Sequence, residues 1–203
     1  MIFQKIFGKK EEKETFLIVG LGNPGRDYRF NRHNIGFRAV DHLAKAWGIT
    51  LGSVRNKALI GQGQLGDVRV ILVKPQTFMN LSGQSVSSLV RFYKIPLEKM
   101  LVTYDDLDLP LGTLRLRENG GSAGHKGMTS IIGLLGSNAF PRLRLGIGRP
   151  AGRMPVEAYV LQDFTDKEEE LLSSLLDRSL EAVEVFIDNG INMAMTQFNG
   201  SLL

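Results

Sequence analysis

His33 is the residue whose setting in the sequence most favours catalysis. The chain contains three histidines, and His33 stands between Arg32 and Asn34 in a polar stretch behind the apolar run 16–19. That run predicts a buried strand, so His33 lies in a loop that follows a strand. An imidazole can act as a general base near neutral pH, although a single histidine is more often structural, as we expect for His42 within a predicted helix.

Three aspartates follow another predicted strand, 100–104, and supply a carboxylate that could orient His33. They are Asp105, Asp106 and Asp108. Because the carboxyl ends of parallel strands meet at one edge of a sheet, at least one of them should lie near His33. A carboxylate on one imidazole nitrogen fixes the tautomer and raises the basicity of the other. We also expect one of the three aspartates to form a turn or a cap.

Two further loops carry polar groups that could bind a substrate. Asn80 lies in the segment 77–83, at the start of a predicted helix for which Ser82 is the predicted N-cap, and its amide could bind a carbonyl or an oxyanion. The glycine-rich segment 120–127 precedes a predicted helix over 127–135, and backbone amides at a helix N-terminus suit a phosphate or carboxylate. Alternating arginines on neighbouring strands predict a basic phosphate-binding face: Arg115, Arg117, Arg142 and Arg144.

Several other chemistries lack their residues. The sequence has no cysteine, no Gly-x-Ser-x-Gly turn and no His-Glu-x-x-His pair, so we predict neither a protein nucleophile nor a metal site. A histidine–aspartate pair with asparagines suits base-assisted attack by water on an activated carbonyl, more readily an ester than an amide.

A dinucleotide cofactor is the alternative raised by Gly20-x-Gly22-x-x-Gly25, which follows the first strand. A dinucleotide site needs a helix that begins at the third glycine and an acidic residue at the end of the second strand. Here the polar residues 26–34 separate Gly25 from the predicted helix, and the next strand arrives only near residue 57. The context therefore argues against the cofactor, and the glycines serve a tight turn that points Asn23 at the edge of the sheet.

The charge distribution favours a polyanionic partner. Residues 16–162 hold 19 basic and 9 acidic side chains, a net charge of +10, whereas residues 163–203 are acidic. Such a basic region attracts nucleic acid or nucleotides. No apolar run is long enough to span a membrane, and the absence of cysteine permits a reducing cytoplasm.

The pattern of elements predicts a single α/β domain over residues 16–203, behind a mobile N-terminal extension over residues 1–15. Strands are predicted at 16–19, 57–65, 67–74, 100–104, 112–117 and 140–147, and helices at 37–48, between Ser82 and Pro96, and at 127–135, 166–188 and 191–198. Strands and helices interleave, which indicates a twisted, mixed and mainly parallel sheet flanked by helices.

Five motifs, in this order and spacing, resemble the bacterial peptidyl-tRNA hydrolase family: GLGNPGRDYRFNRHNIG, KPQTFMNLSG, YDDLDLPLG, GSAGHKGM and RLRLGIGRP. The similarity covers about residues 16–195. It implies hydrolysis of the ester that joins a peptide to the terminal ribose of tRNA, by a cytoplasmic monomer that needs no cofactor.

The resemblance also implies roles for individual residues. His33 matches the general base that activates water, and Asp105 matches its stabilising partner. Asn23 matches the residue that recognises the peptide backbone, and Asn80 matches a residue that positions the substrate. Further residues match positions that bind tRNA or peptide: Tyr28, Phe78, Met79, His125, Lys126, Arg115, Arg117 and Arg144.

The chain departs from the family pattern at Lys126, where an asparagine is usual. A cation there can still bind a carbonyl or phosphate, so we expect activity to survive. The rival function is that of an RNA-binding relative that has lost hydrolysis. The joint presence of His33, Asp105, Asn23 and Asn80 argues against that rival.

Overall fold

The computed structural model describes residues 13–199, which form a seven-stranded sheet with helices on both faces. The strands are β1 (Thr15–Gly20), β2 (Ser53–Arg55), β3 (Ala58–Leu65), β4 (Val68–Pro75), β5 (Met100–Asp106), β6 (Leu114–Arg117) and β7 (Arg142–Gly146). The helices are α1 (Ile35–Ala46), α2 (Ser82–Tyr93), α3 (Lys126–Leu135), α4 (Val156–Val160) and α5 (Asp166–Phe198). The predicted α/β domain with a mixed sheet is confirmed.

The strand order is β2-β3-β4-β1-β5-β7-β6. The four central strands, β4, β1, β5 and β7, run parallel to one another. On either side of them, β3 pairs with β4 and β6 pairs with β7, both antiparallel. The carboxyl ends of the four parallel strands therefore share one edge of the sheet. In open α/β sheets this edge is where ligands bind.

Two apolar layers bury the sheet. The run Leu17, Ile18, Val19 is buried throughout, as expected of a central strand covered on both faces. Side chains of α1 and α5 pack on one face, and those of α2 and α3 pack on the other.

Gly36, at the start of α1, permits the close approach that brings this helix to the sheet edge. A Cβ atom added there would lie 2.4 Å from the carbonyl oxygen of Thr103 on β5 and 2.5 Å from the amide nitrogen of Leu21. Both are backbone atoms that cannot move aside, so only glycine fits. His33, three residues earlier, is thereby carried towards the end of β5.

Most predicted elements are present, with three differences. The sequence pattern missed β2 and α4, which are three and five residues long. The two helices predicted at 166–188 and 191–198 are present within α5, where the non-helical Gly190 separates them. The prediction that Ser82 caps α2 is wrong: Leu81 occupies the N-cap position, and the Ser82 hydroxyl donates to the Met79 carbonyl.

The predicted mobile extension, residues 1–15, lies outside the described residues except for its last three, of which Thr15 begins β1. Within residues 13–199, no helix has both the length and the apolar composition required to cross a membrane.

Candidate active site

A cleft of about 680 Å³ opens at the carboxyl edge of the sheet. Its residues come from the loops after β1, β4 and β7, from the end of β5 and the loop that follows it, from the start of α3 and from α4. Those the sequence analysis singled out are Asn23, His33, Phe78, Met79, Asn80, Asp105, Asp106, Asp108, His125 and Lys126. The topology thus gathers residues from six separate segments at one site.

The neighbours of His33 in sequence hold it in place. Arg32 is buried, and its guanidinium donates to both Glu168 carboxylate oxygens, at 2.9 and 2.8 Å, near the start of α5. Arg32 also lies over the rings of Tyr159 and Phe164, 4.7 and 5.0 Å from their centroids. The single turn that carries His33, Arg32–Asn34, is therefore tied to the C-terminal helix.

Replacing Arg32 should cost stability because it removes a buried guanidinium and leaves the partly buried Glu168 without its ion-pair partner. We expect Arg32→Ala to lower the free energy of unfolding by about 3 kcal/mol, as measured by urea denaturation. Arg38→Ala is the matched control: it removes the neighbouring pair with Glu169, which is more exposed, and should cost about 1 kcal/mol or less. Equal losses in the two variants would contradict this account of Arg32.

Asp105 lies between two histidines. One of its carboxylate oxygens, Oδ1, is 2.8 Å from Nδ1 of His33 and 3.1 Å from Nε2 of His125. The carboxylate is buried at the end of β5. The other two aspartates of this segment have arginine partners. Asp106 pairs with Arg144 and accepts from the backbone amide of Asp108, as expected for a turn, and Asp108 pairs with Arg149.

The charges and hydrogen bonds of this group shift its pKa values in opposite directions. Burial alone would raise the pKa of Asp105, but the two neighbouring histidines hold it well below its usual range. Burial alone would lower the pKa of His33, but the charge and hydrogen bond of Asp105 outweigh it, so the pKa of His33 is raised. Lys126 opposes that rise to a smaller extent. His33 is thus a stronger base than an ordinary histidine, beside a carboxylate that stays ionised.

His125 is the second hydrogen-bond partner of Asp105. Its Nδ1 accepts from the backbone amide of Met128 at 3.2 Å, so it serves as the N-cap of α3. An Nδ1 that accepts requires the proton on Nε2, which can then donate to Asp105. Because the ionised Asp105 can only accept, Nδ1 of His33 also carries a proton, which it donates to Asp105. Nε2 of His33 is then left with a free lone pair.

The two histidines and Asp105 also meet the spacing of a metal site, since their ligand atoms lie within 4.8 Å of one another. Both imidazoles, however, direct a ring nitrogen at the same carboxylate oxygen at hydrogen-bond distance. Two N–H groups that donate to this oxygen explain the short distances without a metal ion. The residue types would also suit a metal ion, and the absence of a metal requirement stays a prediction.

Asn23 is fixed by hydrogen bonds so that one group of its side chain remains available. Its backbone amide and carbonyl pair with the side chain of Asn34, at 2.8 and 2.9 Å. Its side-chain oxygen accepts from the backbone amide of Met79 at 2.8 Å. Among the described residues its Nδ2 has no hydrogen-bond partner, so Asn23 offers a donor to the cleft it lines.

The remaining predicted residues of the cleft differ in exposure. Phe78 and Asn80 are exposed and Met79 is buried, and all three line the cleft. Lys126 also lines it and lies 3.8 Å from Glu157 of α4. Tyr28 lies beside Gly25 and does not line the cleft, so the structure does not bring it to the wall that the resemblance implies.

The prediction that Arg142 belongs to a phosphate-binding face is wrong. Its side chain is 1% exposed, and its guanidinium donates to the carbonyls of Gly120, Gly121 and Asn138. Arg142 therefore holds the glycine-rich loop in place.

The other three arginines of this face remain closer to solvent. Arg115 is opposite Arg144 in the β6–β7 pairing, Arg117 is exposed, and Arg144 is paired with Asp106. None of the three lines the cleft.

Sequence reasoning missed one wall of the cleft. Val156, Val160 and Leu161, in α4 and just after it, line the cleft together with Arg149. A five-residue helix is too short for a recognisable apolar period, so the only signal was the proline at its N-cap, Pro155.

The fold and this site are those of an α/β enzyme with a histidine–carboxylate pair in a cleft at the carboxyl edge of its sheet. The family profile described as peptidyl-tRNA hydrolase matches residues 17–202. The peptidyl-tRNA hydrolase of Carboxydothermus hydrogenoformans is 53% identical over 184 residues, which span 91% of this chain and 98% of that protein. That of Chloroflexus aggregans is 53% identical over 185 residues, 91% of this chain and 98% of that protein.

A solved structure gives the same result. The crystal structure of peptidyl-tRNA hydrolase from Acinetobacter baumannii superposes with a TM-score of 0.86 at 39% identity, covering 93% of this chain and 96% of that one. The chain belongs to the peptidyl-tRNA hydrolase family, which confirms the resemblance seen in the five motifs.

Proposed function

We propose that this protein hydrolyses the ester bond between peptide and tRNA, with His33 as the general base and Asp105 as the residue that orients it. The observation that carries the proposal is the His33–Asp105 pair: an imidazole that lines an open cleft and donates a hydrogen bond of 2.8 Å to a buried carboxylate. Membership of the family supports the choice of substrate.

The reaction follows from the free Nε2 of His33. This nitrogen takes a proton from a water molecule as the water oxygen bonds to the ester carbonyl carbon. Asp105 stabilises the imidazolium that forms. When the bond from carbon to the ribose oxygen breaks, the imidazolium returns its proton to that oxygen, which yields a free peptide acid and a ribose hydroxyl.

Two asparagines assist in different ways. Asn80 is exposed in the cleft and can donate its amide hydrogens to the oxyanion of the tetrahedral intermediate. Asn23 presents Nδ2–H, which suits the carbonyl of the peptide bond next to the ester. An aminoacyl-tRNA with a free amine lacks that carbonyl, so it would cover the Nδ2–H donor without giving it a partner, which disfavours that substrate.

Arg115 and Arg117 of β6 and Arg144 of β7 are the proposed contacts for tRNA phosphates. We expect Arg115→Ala to raise the KM for peptidyl-tRNA several-fold, with little change in kcat, and to reduce the slope of log KM against log salt by about 1. Arg91→Ala, an exposed arginine on α2 that does not line the cleft, is the control. An unchanged salt response in the Arg115 variant would remove it from the tRNA surface.

Two rival functions, a dinucleotide-dependent enzyme and an RNA-binding protein without hydrolysis, predict other observations. In the structure Gly25 is followed by one short turn, Arg26–Tyr28, rather than by the helix that a dinucleotide site needs. An RNA-binding relative without hydrolysis would bind tRNA and leave the ester intact.

The test is incubation of the purified protein with diacetyl-lysyl-tRNA and, separately, with lysyl-tRNA. Hydrolysis of the first and not the second is the expected result, and an intact ester in the first would refute the proposal. That the protein acts as a cytoplasmic monomer without cofactor or metal stays a prediction from the resemblance.

A further inference from the structure

A second cleft, of about 700 Å³, adjoins the first at the same edge of the sheet. It lies beside α1 and the ends of β1 and β4, and its residues include Pro24, Gly25, Phe30 and Lys74. Asn23, the proposed peptide-recognising residue, lines both clefts, so the two clefts meet at this residue. The proposed reaction makes no use of this cleft.

The second cleft is strongly basic. Six of its lining side chains are basic, whereas a single one is acidic: the basic ones are Arg26, Arg29, Arg38, His42, Lys45 and Lys74, and the acidic one is Asp41. Carboxylates lie beside three of the six, since Arg38 pairs with Glu169, Lys74 with Asp41, and the imidazole of His42 contacts Asp177.

The other three cations are exposed and lack such partners. Within residues 13–199, no carboxylate lies within 4.0 Å of Arg26, Arg29 or Lys45. Like charges that share one cleft repel each other, and an anionic ligand would remove that repulsion. Phe30 adds an apolar surface, since its ring is 52% exposed beside the Arg29 guanidinium.

The order of the strands separates this cleft from the proposed tRNA contacts. Arg115 and Arg144 lie on β6 and β7, whereas the second cleft borders β4 and β1. β4 and β7 are three strand spacings apart, about 15 Å, with the His33–Asp105 pair between them. If the tRNA binds on the β7 side, the bound peptide chain extends from the ester in the opposite direction, past Asn23.

We propose that this second cleft receives the peptide part of the substrate upstream of its last residues and favours peptides with aspartate or glutamate there. The inference rests on the proposed function, because it needs the ester to sit at His33. Arg26, Arg29 and Lys45 supply the cations, and Phe30 supplies a contact for an apolar side chain. The cleft thus makes hydrolysis selective for the sequence of the peptide.

The test compares kcat/KM for substrates that share one tRNA and differ in the peptide. Three N-acetylated pentapeptides with the same C-terminal residue carry glutamates, serines or lysines upstream, and an N-acetylated single residue is the short reference. We expect the acidic substrate to react about fivefold faster than the serine one at low salt, and the lysine one to be slower still.

The double variant Arg26→Ser/Arg29→Ser should lose this preference and should hydrolyse the short reference at the rate of the unaltered protein. The retained rate on the reference also shows that the variant is folded. Arg55→Ser/Arg91→Ser removes two exposed arginines that line neither cleft, and it should keep the preference.

Equal rates for the three pentapeptides in the unaltered protein would overturn the proposal. So would a double variant that binds deacylated tRNA more weakly and loses the same factor on every substrate, since the cleft would then contact RNA. Hydrolysis of the short reference tests the proposed function by itself, because a single residue does not reach the second cleft.

Discussion

His33→Ala is expected to lower kcat for peptidyl-tRNA by about 10²–10⁴-fold, the usual contribution of a general base. The Nε2 of His33 is the free nitrogen of an imidazole whose other nitrogen is held by Asp105. His125 cannot replace it, because both of its ring nitrogens are engaged, one by Asp105 and one by the backbone amide of Met128. Single-turnover hydrolysis of diacetyl-lysyl-tRNA measures the effect.

The same variant should bind deacylated tRNA as tightly as the unaltered protein. His33 is partly buried in the cleft, whereas the proposed phosphate contacts lie on β6 and β7. A variant that kept most of its rate would remove His33 from the mechanism. A variant that lost tRNA binding together with its rate would make His33 a binding residue instead of a base.

Asp105→Asn should lower kcat by about 10²-fold or more and should move the pH profile. The carboxylate accepts from both histidines, whereas an asparagine amide group could donate to Nδ1 of His33 and stabilise the wrong tautomer. It would also remove the negative charge that raises the pKa of His33. The residual activity should therefore decline at a lower pH than that of the unaltered enzyme.

Asp106→Asn is the matched control for this prediction. Asp106 is the next residue of β5, and it pairs with Arg144 instead of a histidine. Its kcat should stay within a few-fold of the unaltered value, with the same pH profile. If the two substitutions lowered kcat equally, the loss would reflect the folding of this segment and not the orientation of His33.

The regular elements could be predicted because their patterns are local. The apolar run of β1 and the apolar spacing of α1 follow directly from burial on one or both faces. Asp105 could be expected near His33 because both follow parallel strands. The choice of Asp105 over Asp106 came from the resemblance, since strand alternation alone does not say which face His33 approaches.

The errors arose where a long-range contact decides what a side chain does. The strand alternation predicts a solvent-facing side chain for Arg142. The glycine-rich loop instead folds over this side chain, and the carbonyls of the loop accept hydrogen bonds from the guanidinium. The link between His125 and Asp105 joins residues 20 positions apart, and no local pattern indicates it. The basic second cleft was also missed, because its cations come from the loop after β1, from α1 and from β4.

The central claim is that a neutral His33, made more basic by Asp105, removes a proton from water. The most direct test follows the His33 ring resonances by NMR through a pH titration and measures kcat/KM over the same pH range. We expect the pKa of His33 to lie above the ordinary histidine value of 6.5. As the pH is lowered, kcat/KM should fall at the pKa that the NMR titration gives for the His33 ring. A rate that stays constant while the His33 ring takes up its proton would contradict the account.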